Sequence, residues 1–488
     1  VRRAAEAALL AAALCALASG PARADGAFPD SQNVLTPADR PNEMMLGTNF
    51  GLLVSEDGGA SWQWSCERDG NAFGYLYQFG PPARHRLFAL SNQKLVFSDD
   101  ATCSWQAASG GLDGQAITDA FPDPTNPDRV LAIGFAKAVY GLFASSDGGA
   151  TFGAAPLTSA TGGDSIGGVE IARSAPMTVY LALTTVDTKP KLARSTDGGA
   201  HWTVNDLTGS LGMGQLRIVA VDPTDPNLVY LRWLGASYQA IAVTRDGGVT
   251  ATAPLTTGTF NSFVRLPSGT VLVGATIDSG ITPVLFRSRD AGLTFQEVDG
   301  VPQIRALSQR GGNVYAATDN NADGYALGVS SDEGTTWQKV VSYSDVQAIV
   351  ACLRTDATCQ ASCESLAGVG PMSPGMIWEE TVCSANPPAS TGGGGVGGGA
   401  GGSAGAGGGS AGAGGGSAGV GGATGASAAG GSAAGGPGSG GGGGSASGCG
   451  CAVARPGASL SLWLALSLLA LSLSLAALTR GRPRSQNS

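Results

Sequence analysis

The sequence predicts an all-β chain: a single β-propeller of seven four-stranded blades, then a small disulfide-stapled segment, a disordered Gly/Ala/Ser linker and one C-terminal transmembrane helix. Three observations carry this. One octapeptide is written seven times: SEDGGASW (55–62), SDDATCSW (98–105), SSDGGATF (145–152), STDGGAHW (195–202), TRDGGVTA (244–251), SRDAGLTF (288–295) and SSDEGTTW (330–337). Its aspartates, Asp57, Asp100, Asp147, Asp197, Asp246, Asp290 and Asp332, stand 43, 47, 50, 49, 44 and 42 residues apart. Such a period is one supersecondary unit per repeat and matches the four-stranded blade of a propeller. After residue 392 the composition shifts to Gly, Ala and Ser, and 459–478 then runs twenty residues without a charge.

Residues 1–24 read as a secretory signal peptide. Arg2 and Arg3 form a short basic region, 7–18 is apolar, and Ala22-Arg23-Ala24 fits a small-x-small cleavage site. The protein is therefore expected to be exported. Its formal net charge of −9 argues against a nucleic-acid partner, which would want a basic stripe.

Residues 30–345 hold the repeats. Before each octapeptide sits a short apolar segment: GLLVS, KLVFS, GLFAS, KLARS, AIAVT, VLFRS or ALGVS. These read as strands, and the octapeptide as the hairpin turn that follows each. Asp and Ser or Thr side chains hydrogen-bond turn backbone, and Gly supplies positive φ. The closing aromatic starts the next strand and packs between blades. The seven aspartates are therefore read as structural. A calcium loop would need a terminal bidentate acid that this spacing lacks, so no metal is expected.

The pattern S-x-D-x-G-x-[ST]-[WF] resembles the Asp-box, or BNR, repeat of sialidases, sortilin-type receptors and two-propeller xyloglucanases. A second repeated phrase adds to the likeness: TPADRPNEMMLGT (36–48), FPDPTNPDRVLA (121–132) and VDPTDPNLVYL (221–231). In Asp-box propellers such phrases connect the innermost strand to the next. The resemblance covers about 310 residues and implies boxes on the outer rim, away from any active site. The second box departs from the pattern, with Thr102 in place of Gly and Cys103 inside the turn. The fifth ends in Ala251 instead of an aromatic, and the fourth has His201 in place of Ser or Thr.

Six cysteines lie in the body: Cys66, Cys103, Cys352, Cys359, Cys363 and Cys383. An even number in an exported protein favours disulfides. A Cys66–Cys103 bridge is expected to staple blades one and two. The other four, in a cap segment at 346–388, then form two bridges in one of three connectivities. Zinc is the alternative for this group, opposed by the scarcity of His and by export. VQAIVACL (346–353) reads as a strand that helps close the ring.

Residues 392–448 cannot bury a core and are expected to be a flexible tether, with an end-to-end distance of roughly 40 Å. The apolar run 459–478 is long enough to span a bilayer. Arg480, Arg482 and Arg484 follow it, which would leave that end cytoplasmic and the repeats outside. Segment 449–488 resembles the MYXO-CTERM sorting domain of myxobacteria, with Gly448-Cys449 or Gly450-Cys451 as the matching pair. The resemblance implies sorting and processing machinery acting near Cys449 or Cys451. It implies a membrane anchor through the C-terminal helix and a place on the cell surface, in the outer envelope of a Gram-negative cell.

The chemistry is harder to read. VRLP (264–267) resembles the Arg-Ile-Pro motif of sialidases, which would make Arg265 a carboxylate-gripping catalytic residue. Sialidases place that motif before the first box; here it follows the fifth. VRLPSGTVLVG also reads as strand, turn, strand. A sialidase further needs two more arginines and a Tyr–Glu pair, which nothing here marks. His85 and His201 are the only histidines, and no H-E-x-x-H occurs. No cofactor is expected. The leading expectation is a surface-tethered, non-catalytic binding propeller for extracellular polysaccharide or protein. The alternatives are a sialidase-like glycoside hydrolase and a surface scaffold without a small ligand.

Overall fold

A computed structural model describes residues 31–67, 76–91, 93–153, 163–277, 282–367 and 380–383. All of these fall in the first of two units, 1–431; the second is 432–488. The signal segment, the linker, Cys449, Cys451 and the apolar run 459–478 lie outside the described residues.

The chain is all-β and forms seven blades around one axis. Their innermost strands are Ser31–Leu35, Leu76–Phe79, Ala116–Pro122, Ser165–Ile171, Gln215–Val221, Thr259–Arg265 and Ala306–Arg310, for blades 1 to 7 in chain order. Each blade is an antiparallel meander running outwards from its innermost strand. The innermost strands of blades 7 and 1 are neighbours, which closes the ring. Five of the seven carry a bulge or irregularity, such as that between Ile117 and Asp119 in blade 3. Bulges twist a strand and re-aim its side chains, as expected where strands crowd an axis.

The second strands explain the cohesion. VYLALT (179–184) is buried throughout, because both of its faces pack on neighbouring blades. The apolar clusters lie between blades, as where Tyr230, Ile241 and Val243 of blade 5 meet Phe260, Phe263 and Val273 of blade 6. Removing this surface from water drives assembly at about 25 cal/mol per Å² of apolar area.

The seven octapeptides form one turn seven times. In blade 3, Asp147 accepts from Ser145 Oγ at 2.7 Å, Thr151 N at 2.9 Å and Thr151 Oγ1 at 2.6 Å. Ser145 Oγ in turn accepts from Gly149 N at 2.8 Å. The same bonds recur at Asp57, Asp100, Asp246, Asp290 and Asp332. At Asp197 the imidazole Nδ1 of His201, 2.6 Å away, replaces the hydroxyl. Each turn needs two residues at positive φ. Gly148 and Gly149 supply them in blade 3, but blade 2 uses Ala101 (φ 54°) and Thr102 (φ 82°). Trp62, Trp202 and Trp337 then donate their indole N–H to the turn carbonyls of Gly59, Gly199 and Gly334.

Three expectations are corrected. Blade 3 has three strands instead of four: Thr151–Phe152 pairs in parallel with Ser109–Gly110, drawn there as Phe152 joins the apolar cluster between blades 2 and 3. Blade 1 has five, since Val346–Ile349 adds in parallel outside Trp62–Cys66. Cys66 pairs with Cys359, and Cys103 with Cys352, instead of with each other; Cys363 pairs with Cys383. The chain leaves blade 7 and runs along the outer edge of blade 1, so both early cysteines meet late ones. The first two bridges span 293 and 249 residues, long loops whose closure contributes on the order of 5 kcal/mol each in the chain-entropy view. The transmembrane helix, with the membrane anchor and the envelope location that depend on it, is also corrected. No helix among the described residues is long and apolar enough to cross a membrane, and 459–478 lies outside them.

Candidate functional site: an axial cavity

The innermost strands all run the same way, so their C-terminal ends gather at one mouth of the axis. The strand order of each blade puts the octapeptide turns at that same end. The repeated Pro-rich phrases sit there too. In blade 5, Asp222 folds its phrase by accepting from Thr224 N, Thr224 Oγ1 and Asp225 N. Asp123 does the same in blade 3 with Thr125 and Asn126. Both aspartates are buried.

These ends surround a cavity of about 360 Å³ to which all seven blades contribute. Its walls are apolar, with Leu35, Phe79, Phe121 and Leu307 beside Pro37, Pro81, Pro82, Pro122, Pro124 and Pro223. Proline at these positions holds the strand ends rigid, because its φ is fixed and it donates no hydrogen bond.

Five charged residues line it: Asp39, Glu170, Arg173, Asp222 and Arg265. Arg265 is a wall residue of blade 6, with its Nε 2.7 Å from Asp222 Oδ2. The pair is almost wholly buried, and Arg265 also donates to its neighbour Leu266 O. Its guanidinium is thus engaged by the adjoining blade. Tyr230 lines the cavity as well, but its hydroxyl donates to Ala291 O at 3.3 Å, and burial holds its ionisation above the ordinary tyrosine range.

Two groups are less engaged. Arg173 has no hydrogen-bond or ion-pair partner among the described residues. Glu170 accepts one bond, from Val221 N of blade 5 at 2.8 Å. Burial dominates and pushes its carboxyl up to about 8, with the Asp119 charge adding to the rise. Deeper along the axis Asp119 bridges blades 3 and 4 in the same manner, accepting from Val169 N and Ala120 N at 2.9 Å each. Burial outweighs those bonds and raises it to about 6. At neutral pH the cavity therefore holds a protonated Glu170 and a free guanidinium.

Among the residues singled out by sequence, the seven octapeptide aspartates lie in the outer turns, away from the cavity lining, and Arg265 lies in its wall. The cysteines lie in the clasp; the grouping of Cys66, Cys359 and Asp356 holds no thiolate for a metal, since its two sulfurs are bonded to each other. Glu170, Arg173 and Asp119 were not singled out. Their signal was available: a lone charge inside or just after an apolar strand, as in SIGGVEIAR and AITDAFP.

No family model matches the chain, and no curated protein does. Solved structures do. A xyloglucanase from Xanthomonas campestris is 15% identical over 64% of this chain and 58% of its own, with a TM-score of 0.37. YCF48 from Cyanidioschyzon merolae is 13% identical over 60% of this chain and 93% of its own, at 0.40. A Hadza microbial sialidase is 14% identical over 56% of this chain and 70% of its own, at 0.37. The chain thus spans little more than half the xyloglucanase. These are similarities of architecture; the class that fold and site define is a disulfide-clasped, seven-bladed β-propeller with an axial cavity.

Proposed function

We propose that this chain is an exported, non-catalytic binding module, an Asp-box propeller whose axial cavity receives part of an extracellular polysaccharide or protein. The observation that carries this is convergence. Seven blades bring rigid apolar walls to one cavity, with Arg173 and Glu170 left to orient a ligand. Ligand sites have this composition: mostly apolar, with a few placed polar groups. The seven-fold hydrogen-bond pattern supports reading the turns as Asp boxes. Three disulfides support export.

A glycosidase is less well supported. Arg265 is held by Asp222, and Tyr230 is buried with its proton held to a carbonyl, the reverse of an activated nucleophile. The test is to present the purified chain with an array of extracellular polysaccharides and with fluorogenic glycosides, sialosides included. The expected result is retention on the array without turnover, weakened at least 10-fold by Arg173→Ala. Turnover abolished by Arg265→Ala would overturn the reading in favour of a hydrolase. Absence of any retention would leave a scaffold.

A further inference from the structure

The three disulfides differ in their access to solvent. Cys66, Cys359 and Cys363 are wholly buried, and Cys383 is nearly so. Cys103 is partly buried, and its partner Cys352 is exposed. Thiol–disulfide exchange needs a thiolate to reach a sulfur, so access sorts the three bridges.

The exposed bridge joins the second octapeptide turn, in blade 2, to the single turn Ala351–Leu353 that follows the strand Val346–Ile349 on blade 1. Each end is also held by other bonds. On blade 2, Asp100 accepts from Ser98 Oγ, Ser104 N and Ser104 Oγ, and Cys103 N donates to Asp100 O at 3.2 Å. On the clasp side, Val350 N donates to Trp64 O at 2.9 Å and Leu353 N to Val350 O at 2.8 Å. Leu353 is buried in the apolar cluster that contains Ile349, Cys66 and Cys359. The buried Cys66–Cys359 bridge ties the same segment to blade 1. Opening Cys103–Cys352 therefore leaves both backbones in place and the ring closed.

We propose that Cys103–Cys352 is a reversible thiol-exchange site, at which an entering thiol attacks the Cys352 sulfur and becomes disulfide-linked to it. Cys352 is the more exposed partner, so attack falls there. The entering thiolate forms a new S–S bond to Cys352. The old bond breaks, and its electron pair leaves with Cys103 as a thiolate. A monothiol stops at this mixed disulfide, and return attack by Cys103 expels it and restores the bridge. A dithiol goes further: its second thiolate attacks its own first sulfur and displaces Cys352 as a thiolate. The dithiol is then oxidised to a disulfide, and the bridge is reduced to two thiols. The site is separate from the axial cavity, whose lining includes neither cysteine.

The test uses the full chain, with reduced glutathione as the monothiol and dithiothreitol as the dithiol. Thiols present beforehand are blocked with iodoacetamide. Newly released thiols are then trapped with N-ethylmaleimide at intervals and located by peptide mass mapping. Glutathione should appear on Cys352 and N-ethylmaleimide on Cys103. Dithiothreitol should deliver Cys103 and Cys352 to the trap at least about 100-fold faster than Cys66, Cys359, Cys363 and Cys383, which wait for the fold to open. The near-ultraviolet circular dichroism of the opened chain should match that of the untreated one. Removing glutathione without the trap should restore the bridge. The double variant Cys103→Ser, Cys352→Ser should give the same spectrum and take up neither reagent. Release of all three bridges together, at a rate that rises with urea, would show that they open only through unfolding and would overturn the proposal. So would loss of the near-ultraviolet signal on opening, or failure of the double variant to fold, since the bridge would then be structural. Glutathione found on Cys103 would overturn Cys352 as the point of attack.

Discussion

Asp147 on the rim and Glu170 on the axis are both carboxyls, yet they are displaced in opposite directions. Partial burial pulls Asp147 up, but bonds from Thr151, Ser145 and Ala150 outweigh it and bring it down to about 2. Glu170 has one backbone donor against much deeper burial, and rises to about 8. Asp119, with two donors, falls between them at about 6. The number of donors against the depth of burial decides the sign. The rim carboxylates are fully engaged in holding turns. The axial groups are not, which is why recognition is assigned to the axis.

The widest break in this contrast should come from Asp147→Ala. Four donor groups lose their acceptor, and with solvent replacing part of the loss the cost is about 3 kcal/mol. Urea denaturation checks it, and a cost near zero would show that the turn does not depend on its carboxylate. Glu170→Gln should act in the other direction. The amide oxygen still accepts from Val221 N while the ionisable group is gone, so the variant gains about 2 kcal/mol at neutral pH and little at pH 4.

The pH dependence of stability follows with both signs. Box carboxylates sit below their unfolded values, so their contribution is present above about pH 4 and lost as pH falls towards 2. Asp119 and Glu170 sit above theirs, so their contribution is complete at low pH and lost as pH rises through about 6 and about 8. Stability should therefore peak at about pH 4 to 5 and decline towards 8, and Glu170→Gln should flatten the alkaline side. The smallest effect belongs to Ala101→Gly. Ala101 is exposed at φ 54° in the one turn without glycine, and relieving it should add about 0.5–1 kcal/mol by thermal unfolding.

What could be read from sequence tracks the same divide. Turn chemistry is local, so SSDGGATF announces its own hydrogen bonds, and seven copies at one spacing announce the blades. The clasp is not local. Cys66 and Cys359 are 293 residues apart and meet only because the ring brings the last strand back to blade 1. The axial charges lay in plain view within apolar strands, but a bulge such as that between Ile166 and Gly168 changes which side chains reach the axis. Alternation alone could not assign Glu170 to the cavity.

The central claim is that the axial cavity is lined by a neutral carboxyl, Glu170, and by the unpaired guanidinium of Arg173, whereas the octapeptide turns hold only ionised, engaged aspartates. Carboxyl-resolved NMR titration of the glutamate-labelled chain, with and without Glu170→Gln, tests it most directly. One glutamate resonance should titrate at about 8 and vanish in the variant. If every glutamate titrates between about 4 and 5, Glu170 is ionised at neutral pH and the account of the cavity's recognition chemistry is wrong.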